Sequence, residues 1–304
     1  MPNLKDIKNR IDSVKNTRKI TKAMKMVAAA KLKRAQERME ASRPYAFRMQ
    51  RMVDALSHRV QEQEKTHPLM ERRDDPEKSL MVIIASDRGL CGGFNANLFR
   101  GIDRYLAEQR IAGEEQELVT VGSKARDHFK KSDYEIVDHF DDVIGNVDIK
   151  SAKRVSKQMR QSFLDGDYDH VYLCYNRFVS AIAQEWVIYN ILPLSESLVF
   201  TAENEEGEPV ASEEEVSDRE FIYEPDLDVL LDELLPSHID TQVYQALSES
   251  EASEHAARMT AMDNATNNAN DMIDDLTLQY NRARQAYITK EIVEIVSGAE
   301  SLKG

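Results

Sequence analysis

The sequence is poor in cysteine. It has two, Cys91 and Cys174. Neither has a CxxC neighbour, and no Cys/His group carries zinc spacing, so a disulfide framework and a zinc finger are both excluded and a reducing compartment is expected. Aromatic residues are only 7% and tryptophan occurs once, while charged residues reach 31%. Few aromatics with many charges suit long solvated helices better than one compact core. No run of about 18 apolar residues exists, so no segment spans a membrane as a helix. The opening "MPNLKDIKNR" has no apolar stretch, and its acids Asp6 and Asp12 fit poorly with a transit peptide; no secretory signal is expected.

Enzyme signatures are also missing. The stretch "ASDRGLCGGFNAN" (85–97) follows the apolar run "LMVII", where an α/β protein often keeps a phosphate loop. A Walker loop needs GxxxxGK followed by Ser or Thr, and no lysine follows Gly92 and Gly93; GxGxxG is absent too. Cys91 as a nucleophile would need a histidine base, and His128, His139 and His170 each sit in a separate element. The spacing fits a sharp turn from a strand into a helix starting near Asn95. HExxH, paired aspartates with metal spacing and a nucleophile elbow do not occur. No catalytic residue, cofactor or metal is expected.

What the sequence does have is charge separation and periodicity. The net charge is −14, yet residues 1–60 hold 16 Lys and Arg against 5 Asp and Glu. That segment carries about +11 and the remainder about −25. A strongly acidic whole argues against a nucleic-acid binder, and Ala28 to Ala30 give the basic helix too poor an apolar face for a membrane surface. A basic face that serves an acidic protein partner fits both facts.

Leu4, Ile7, Ile11, Val14, Arg18, Thr21, Lys25, Ala28, Leu32, Ala35, Met39, Ser42, Ala46, Met49, Val53, Leu56 and Val60 keep an unbroken 4/3 alternation. That is a heptad seam, and it requires a partner helix. Some 57 residues reach roughly 85 Å as a helix. Arg18, Thr21 and Lys25 are poor knobs, and Pro44 should bend the helix. A second long helix is expected from about Leu227 to Val296, with Pro236 and the pair Asn267–Asn268 as its breakers. Met259, Met262, Thr266, Ala269, Ile273, Leu276, Tyr280, Ala283 and Tyr287 repeat the alternation. Ile239, Val243, Ala246 and Ser250 are out of phase with them, so the seam slips near 250–258. The two helices are natural antiparallel partners if the region between them brings the chain back to its start.

That region changes character. "SLMVIIAS", "ELVTVG", "YEIVDHF", "HVYLCYNRFV" and "QEWVIYNILPL" read as strands. "NLFRGIDRYLAEQR", "SKARDHFKK" and "IKSAKRVSKQMRQSFLDG" read as helices between them. The alternation predicts a mainly parallel sheet with helices on its faces. "ENEEGEPVASEEEVSDRE" (203–220) holds nine acids and one arginine and reads as a solvated linker or loop. The fold class is thus α/β plus a long coiled coil: antiparallel N- and C-terminal helices with a central Rossmann-like α/β domain. The expected organisation is an N-terminal helix over 1–62, the α/β domain over 78–200, the acidic segment over 201–222 and the C-terminal helix over 223–304.

Five stretches, in order, resemble the gamma subunit of bacterial F-type ATP synthase: "ITKAMKMVAAAKLKRAQERMEASRPYA", "DRGLCGGFNANL", "YEPDLDVLLDELLP", "SEHAARMTAMDNATNNA" and "YNRARQAYITKEIVEIVSGAESL". The resemblance covers essentially the whole chain. It implies a central rotor shaft, one copy per hetero-oligomeric complex, non-catalytic itself. Its partners would be the alpha and beta subunits of the head, the epsilon subunit and the c-ring, with no nucleic acid. The place it implies is the cytoplasmic face of a bacterial inner membrane, reached only through partner subunits. Met24 and Lys25, in "KAMKMV", match the region that faces the acidic lever loop of beta. Arg284, Gln285, Thr289 and Glu291, in "RQAYITKE", match positions that contact the head's catch loops. Tyr223, Glu224 and Asp226, in "YEPD", match the foot that seats on the c-ring. The acidic segment departs from the compact loop that the family leads one to expect. No cysteine pair interrupts the middle domain, so the thiol switch of chloroplast relatives is not expected.

Overall fold

A computed structural model of the chain describes residues 4–62, 67–73, 76–194, 198–201, 208–209 and 227–301. Helix α1 runs Leu4–Glu62 and helix α5 runs Leu227–Ser301. Between them come β1 (Lys78–Ile84), α2 (Phe94–Ala112), β2 (Glu115–Val121), α3 (Ser123–Phe129), β3 (Glu135–Phe140), α4 (Ile149–Leu164), β4 (His170–Phe178), β5 (Gln184–Leu192), β6 (Leu198–Thr201) and β7 (Glu208–Pro209). Every strand and helix expected from "SLMVIIAS" to "QEWVIYNILPL" is present.

Two compact units divide the chain. One holds residues 1–28 and 259–304, the other 29–258. In the first, Arg18 meets Asn270, Thr21 meets Thr266 and Lys25 meets Asp263. The numbers fall along α5 as they rise along α1, so the pairing is antiparallel. In the second, Arg38 meets Glu251 and Gln50 meets Gln242, in the same sense.

The seam on α1 is the one that the 4/3 alternation marks. From Leu4 to Leu56 every seam position is buried or half-buried. Ile7, Ile11, Ala28, Leu32, Ala35, Met39, Ala46, Met49, Val53 and Leu56 are all buried. The side chain of Val60 lies outside the described residues. On α5 the alternation holds from Met259 to Ala283, but Tyr287 is exposed. Ile7 and Ile11 already pack with Leu276, Tyr280 and Ala283, so the described part of α1 has no turn left to cover Tyr287.

Pro44 does not interrupt α1. Both Pro44 and Glu40, whose carbonyl loses its amide partner, are exposed, so water can take up the freed acceptor. Pro236 and Asn267–Asn268 are likewise accommodated inside α5.

Within the second unit the sheet has the order β3-β2-β1-β4-β5-β6-β7. β1, β2, β3 and β4 are mutually parallel, and β4 to β7 continue antiparallel. Period-2 alternation sends successive residues of β1 to opposite faces. Leu80, Val82 and Ile84 join one core, with α4 residues Val155, Met159 and Phe163, α1 residues Val53 and Leu56, and α5 residues Leu231 to Leu247. Met81, Ile83 and Ala85 join the other, with Leu98, Phe99, Ile102 and Leu106 of α2 and Phe129 of α3. Within this unit the paired parts of α1 and α5 are therefore a layer of the α/β domain, which explains the slip in phase. From Ala246 to Ala256 nearly every residue of α5 is buried. A helix covered on both sides has no polar face to define a period.

The acidic stretch 203–220 is largely outside the described residues. Its Glu208–Pro209 portion pairs antiparallel with Leu198 and Val199 as β7.

Candidate functional site: the coil and the blocked crevice

The three poor knobs on α1 each find a polar mate on α5. Lys25 Nζ lies 2.6 Å from Asp263 Oδ1, Thr21 and Thr266 share a hydroxyl hydrogen bond of 2.8 Å, and Arg18 Nη1 donates to Asn270 Oδ1 at 3.0 Å. Thr266 also donates to the Met262 carbonyl at 2.7 Å. Polar residues at seam positions fix register at a cost in stability. Here they fill the level between the apolar cluster of Ile7, Ile11 and Leu276 and the thin Ala28.

Lys25 and Asp263 are still 40% and 44% exposed at their side chains, so their surroundings are wet and their ion pair contributes little. Met24 beside them is half-buried. Arg284, Gln285, Thr289 and Glu291 all lie on exposed turns of α5. Thr289 Oγ1 donates to the Gln285 carbonyl at 2.9 Å, and Tyr287 bonds Glu291, which raises the phenol pKa. The sequence grouping into Met24 with Lys25 and Arg284 with its neighbours thus falls on two places of one unit: a wet stretch of the seam, and a helix surface beyond it. Tyr223, Glu224 and Asp226 lie outside the described residues.

One feature of the α5 end escaped the sequence reading. Ile288, Ile292, Val293, Ile295 and Val296 are all exposed, as are Ile20, Met26 and Val27 on α1. Apolar residues in such number on one helix mark a surface that a partner covers. The signal was available: "EIVEIV" puts apolar residues off the 4/3 seam.

The glycine stretch turns β1 into α2, with Gly93 as N-cap and Gly92 at φ +59°. In an open parallel sheet, ligands enter at the carboxyl ends of the strands where the order reverses. That point lies between β1 and β4, and α5 fills it. Arg258 Nη2 donates to the carbonyl of Gly89 at 3.3 Å, Ser253 Oγ donates to the Asn176 carbonyl at 3.0 Å, and Asn176 Nδ2 donates to the Phe94 carbonyl at 3.3 Å. Cys91 is buried there. Asn95 Nδ2 donates to its sulfur at 3.5 Å and to Ser86 Oγ at 2.7 Å. Burial pushes the Cys91 thiol up, only partly offset by Ser86 and Arg258; a protonated thiol is a poor nucleophile. None of its described partners is a histidine. His128 bonds Asp103 at 3.0 Å and His139 bonds Asp141 at 2.7 Å.

The stretch of α5 that covers the crevice buries two carboxylates among small residues. Glu251 and Glu254 are buried, each with an arginine: Arg38 at 2.5 Å and Arg258 at 2.6 Å. His255 lies between them, its Nε2 3.8 Å from Glu251 and its Nδ1 3.7 Å from Glu254. Burial first, then the charges of Arg258, Lys31 and Arg38, bring its pKa down to about 4, so it is neutral at pH 7. Lower on α5, Asp240 is joined to Ser156 and Arg160 of α4. The Asp240–Arg160 pair ties α5 to α4 and the Glu251–Arg38 pair ties it to α1, while Glu254–Arg258 stays within α5.

Fold and site together define a protein with antiparallel pairing of two long terminal helices and a mixed α/β sheet whose crevice is filled by the chain's own helix. The ATP synthase family model matches residues 3–302. ATP synthase gamma chains from Geobacter sp. (strain M21), Geobacter metallireducens and Anaeromyxobacter sp. (strain Fw109-5) are 46%, 47% and 47% identical, each over the full length of both chains. A chain of the Tetrahymena thermophila mitochondrial ATP synthase central stalk and c-ring structure is 29% identical, with TM-score 0.61, and the match covers 81% of this chain and 99% of that one. A chain of the Euglena gracilis mitochondrial ATP synthase shares the fold at TM-score 0.66 and 21% identity, over 98% and 94% of the two chains. The chain belongs to the ATP synthase gamma-chain family.

Proposed function

We propose that the chain is the central rotor shaft of an F-type ATP synthase and couples proton flow through a membrane c-ring to conformational change at catalytic sites on beta subunits. It catalyses nothing itself. One shaft orientation gives three chemically equal beta subunits different contacts, and different contacts bias them toward different conformations and nucleotide affinities. The observation that carries this reading is the exposed apolar stretch of α5 from Ile288 to Val296, which a surrounding head would cover. The filled crevice above the glycine stretch supports the non-catalytic role.

In this reading Met24, Lys25, Arg284, Gln285, Thr289 and Glu291 touch the alpha and beta subunits. Tyr223, Glu224 and Asp226 seat on the c-ring, and epsilon binds beside the α/β domain. The organisation proposed is a helix over 1–62, the α/β domain over 78–200, an acidic segment over 201–222 and a helix over 223–304. Among the described residues no helix is long and apolar enough to cross a membrane, in keeping with attachment through partners at the cytoplasmic face of a bacterial inner membrane. Affinity purification of the tagged chain from detergent-solubilised membranes tests the assignment. Alpha, beta, epsilon and c should come with it; a preparation without them would refute the reading.

A further inference from the structure

The described part of the second unit contains an open cleft of about 600 Å³ between α1, α5 and the loop that leads from β3 to α4. Lys31, Arg34, Arg38 and Ala41 line one wall, Gly145 and Asn146 the second, and Glu251 and His255 the floor, with Glu37 at the side. Lys31, Arg34 and Arg38 stand at i, i+3 and i+7, so one helix face presents all three cations.

They are not equivalent. Arg38 is fixed: its Nη2 binds Glu251 at 2.5 Å, and its Nη1 donates to the Val147 carbonyl at 3.1 Å. Glu251 is buried, with its side chain only 3% exposed, and spends its charge on that arginine. Glu37, at the side of the cleft, lies 3.9 Å from Lys33, which does not line it. Lys31 and Arg34 make no ion pair within 4.0 Å among the described residues, although the charge of Lys31 also reaches the Glu251 carboxylate. His255 on the floor is uncharged at pH 7, held so by burial and by the field of Arg258, Lys31 and Arg38. The charges of Lys31 and Arg38 thus reach the floor of the cleft.

We propose that this cleft binds a phosphate group, on a free anion or on a nucleotide, through Lys31, Arg34 and the anchored Arg38. A cleft of this size takes a ligand of nucleotide dimensions, of which a phosphate fills only the part beside the cations. A phosphate offers several strong acceptors on one centre, so it can engage the lysine, the Arg34 fork and the remaining N–H donors of Arg38 at once, whereas a single carboxylate cannot. The inference does not depend on the rotor reading, since none of these residues belongs to the contacts assigned there.

The test uses the full-length chain and isothermal titration with inorganic phosphate, pyrophosphate and ATP, each without added metal. Saturable binding is expected. Lys31→Ala or Arg34→Ala should weaken it about tenfold, the size of one lost charge-assisted hydrogen bond. Glu37→Gln should strengthen it, because it removes a carboxylate from the rim. All three positions are exposed, and unchanged far-UV circular dichroism checks that the helices persist. Equal affinity for pyrophosphate and ATP assigns the site to the phosphate alone; tighter ATP binding assigns it to a nucleotide. No saturable binding of any probe up to roughly 10 mM, or binding that neither Lys31→Ala nor Arg34→Ala alters, overturns the proposal.

Discussion

Lys25 Nζ and Asp263 Oδ1 lie 2.6 Å apart across the seam of the coil, so the lysine that the family resemblance assigns to an outside partner already has one inside the chain. Lys25→Glu therefore does two things at once. It sets two carboxylates face to face, costing about 0.2–1 kcal/mol for a pair this exposed, and it reverses the charge offered outward. The exchange Lys25→Glu with Asp263→Lys separates them. Thermal stability should return in the double variant. ATP-driven proton pumping in inverted membrane vesicles should stay impaired if the outward contact matters, and recover if Lys25 serves only the pair.

Ile273 and Leu276 are buried seam residues of α5. Replacing both by Asp puts one carboxylate into the apolar cluster with Ile7 and Ile11, and a second at another buried seam position. Each should cost about 2–4 kcal/mol. The expected result is a loss of helical circular dichroism on heating at lower temperature, and failure of the complex to assemble. Normal assembly would mean that the seam in this unit is misplaced.

His238 and Glu249 give the fold opposite pH dependences. Burial lowers the His238 pKa from 6.5 to about 4. The unfolded chain then binds more protons between those values, so stability is full above pH 6.5 and falls as pH drops toward 4, by about 3 kcal/mol at most. Burial raises Glu249 from 4.5 to about 7, and its Oε2 has no hydrogen-bond partner. There the folded state holds the extra proton, so stability falls as pH rises from 4.5 to 7. Glu249→Gln should raise the melting temperature more at pH 8 than at pH 5. An equal change at both values would place that carboxylate in water.

Gly122 has φ +92°, and a Cβ there would meet the Ala85 carbonyl oxygen at 2.1 Å. Backbone cannot yield as a side-chain tip can. Gly122→Ala should cost about 3 kcal/mol or more, from strain and clash together. The single tryptophan, Trp186, is half-buried in the core beneath α2 and reports the loss as a shifted fluorescence transition. A variant that melts like the parent would refute the geometry.

Much of the fold was legible because its signals are local. Leu80 to Ile84 is apolar on both faces, as a central parallel strand must be, and the α1 seam repeats without a slip for fifteen turns or so of helix. The candidate site was less legible. Met24, Lys25 and the Arg284 group were reached through resemblance, and nothing in spacing alone distinguishes them from other exposed helix residues. The apolar surface at Ile292 and Ile295 was missed because a search for one seam discards whatever lies off it.

By itself, the sequence determined which residues of α1 face inward and which segments alternate between strand and helix, because hydrophobic period is a property of neighbours along the chain. Only the tertiary structure decided that Arg18, Thr21 and Lys25 meet Asn270, Thr266 and Asp263, and that Ser253 and Arg258 occupy the crevice beside Cys91. Those partners lie far apart in sequence and are brought together by antiparallel register and by burial on two sides of α5, neither of which leaves a period to read.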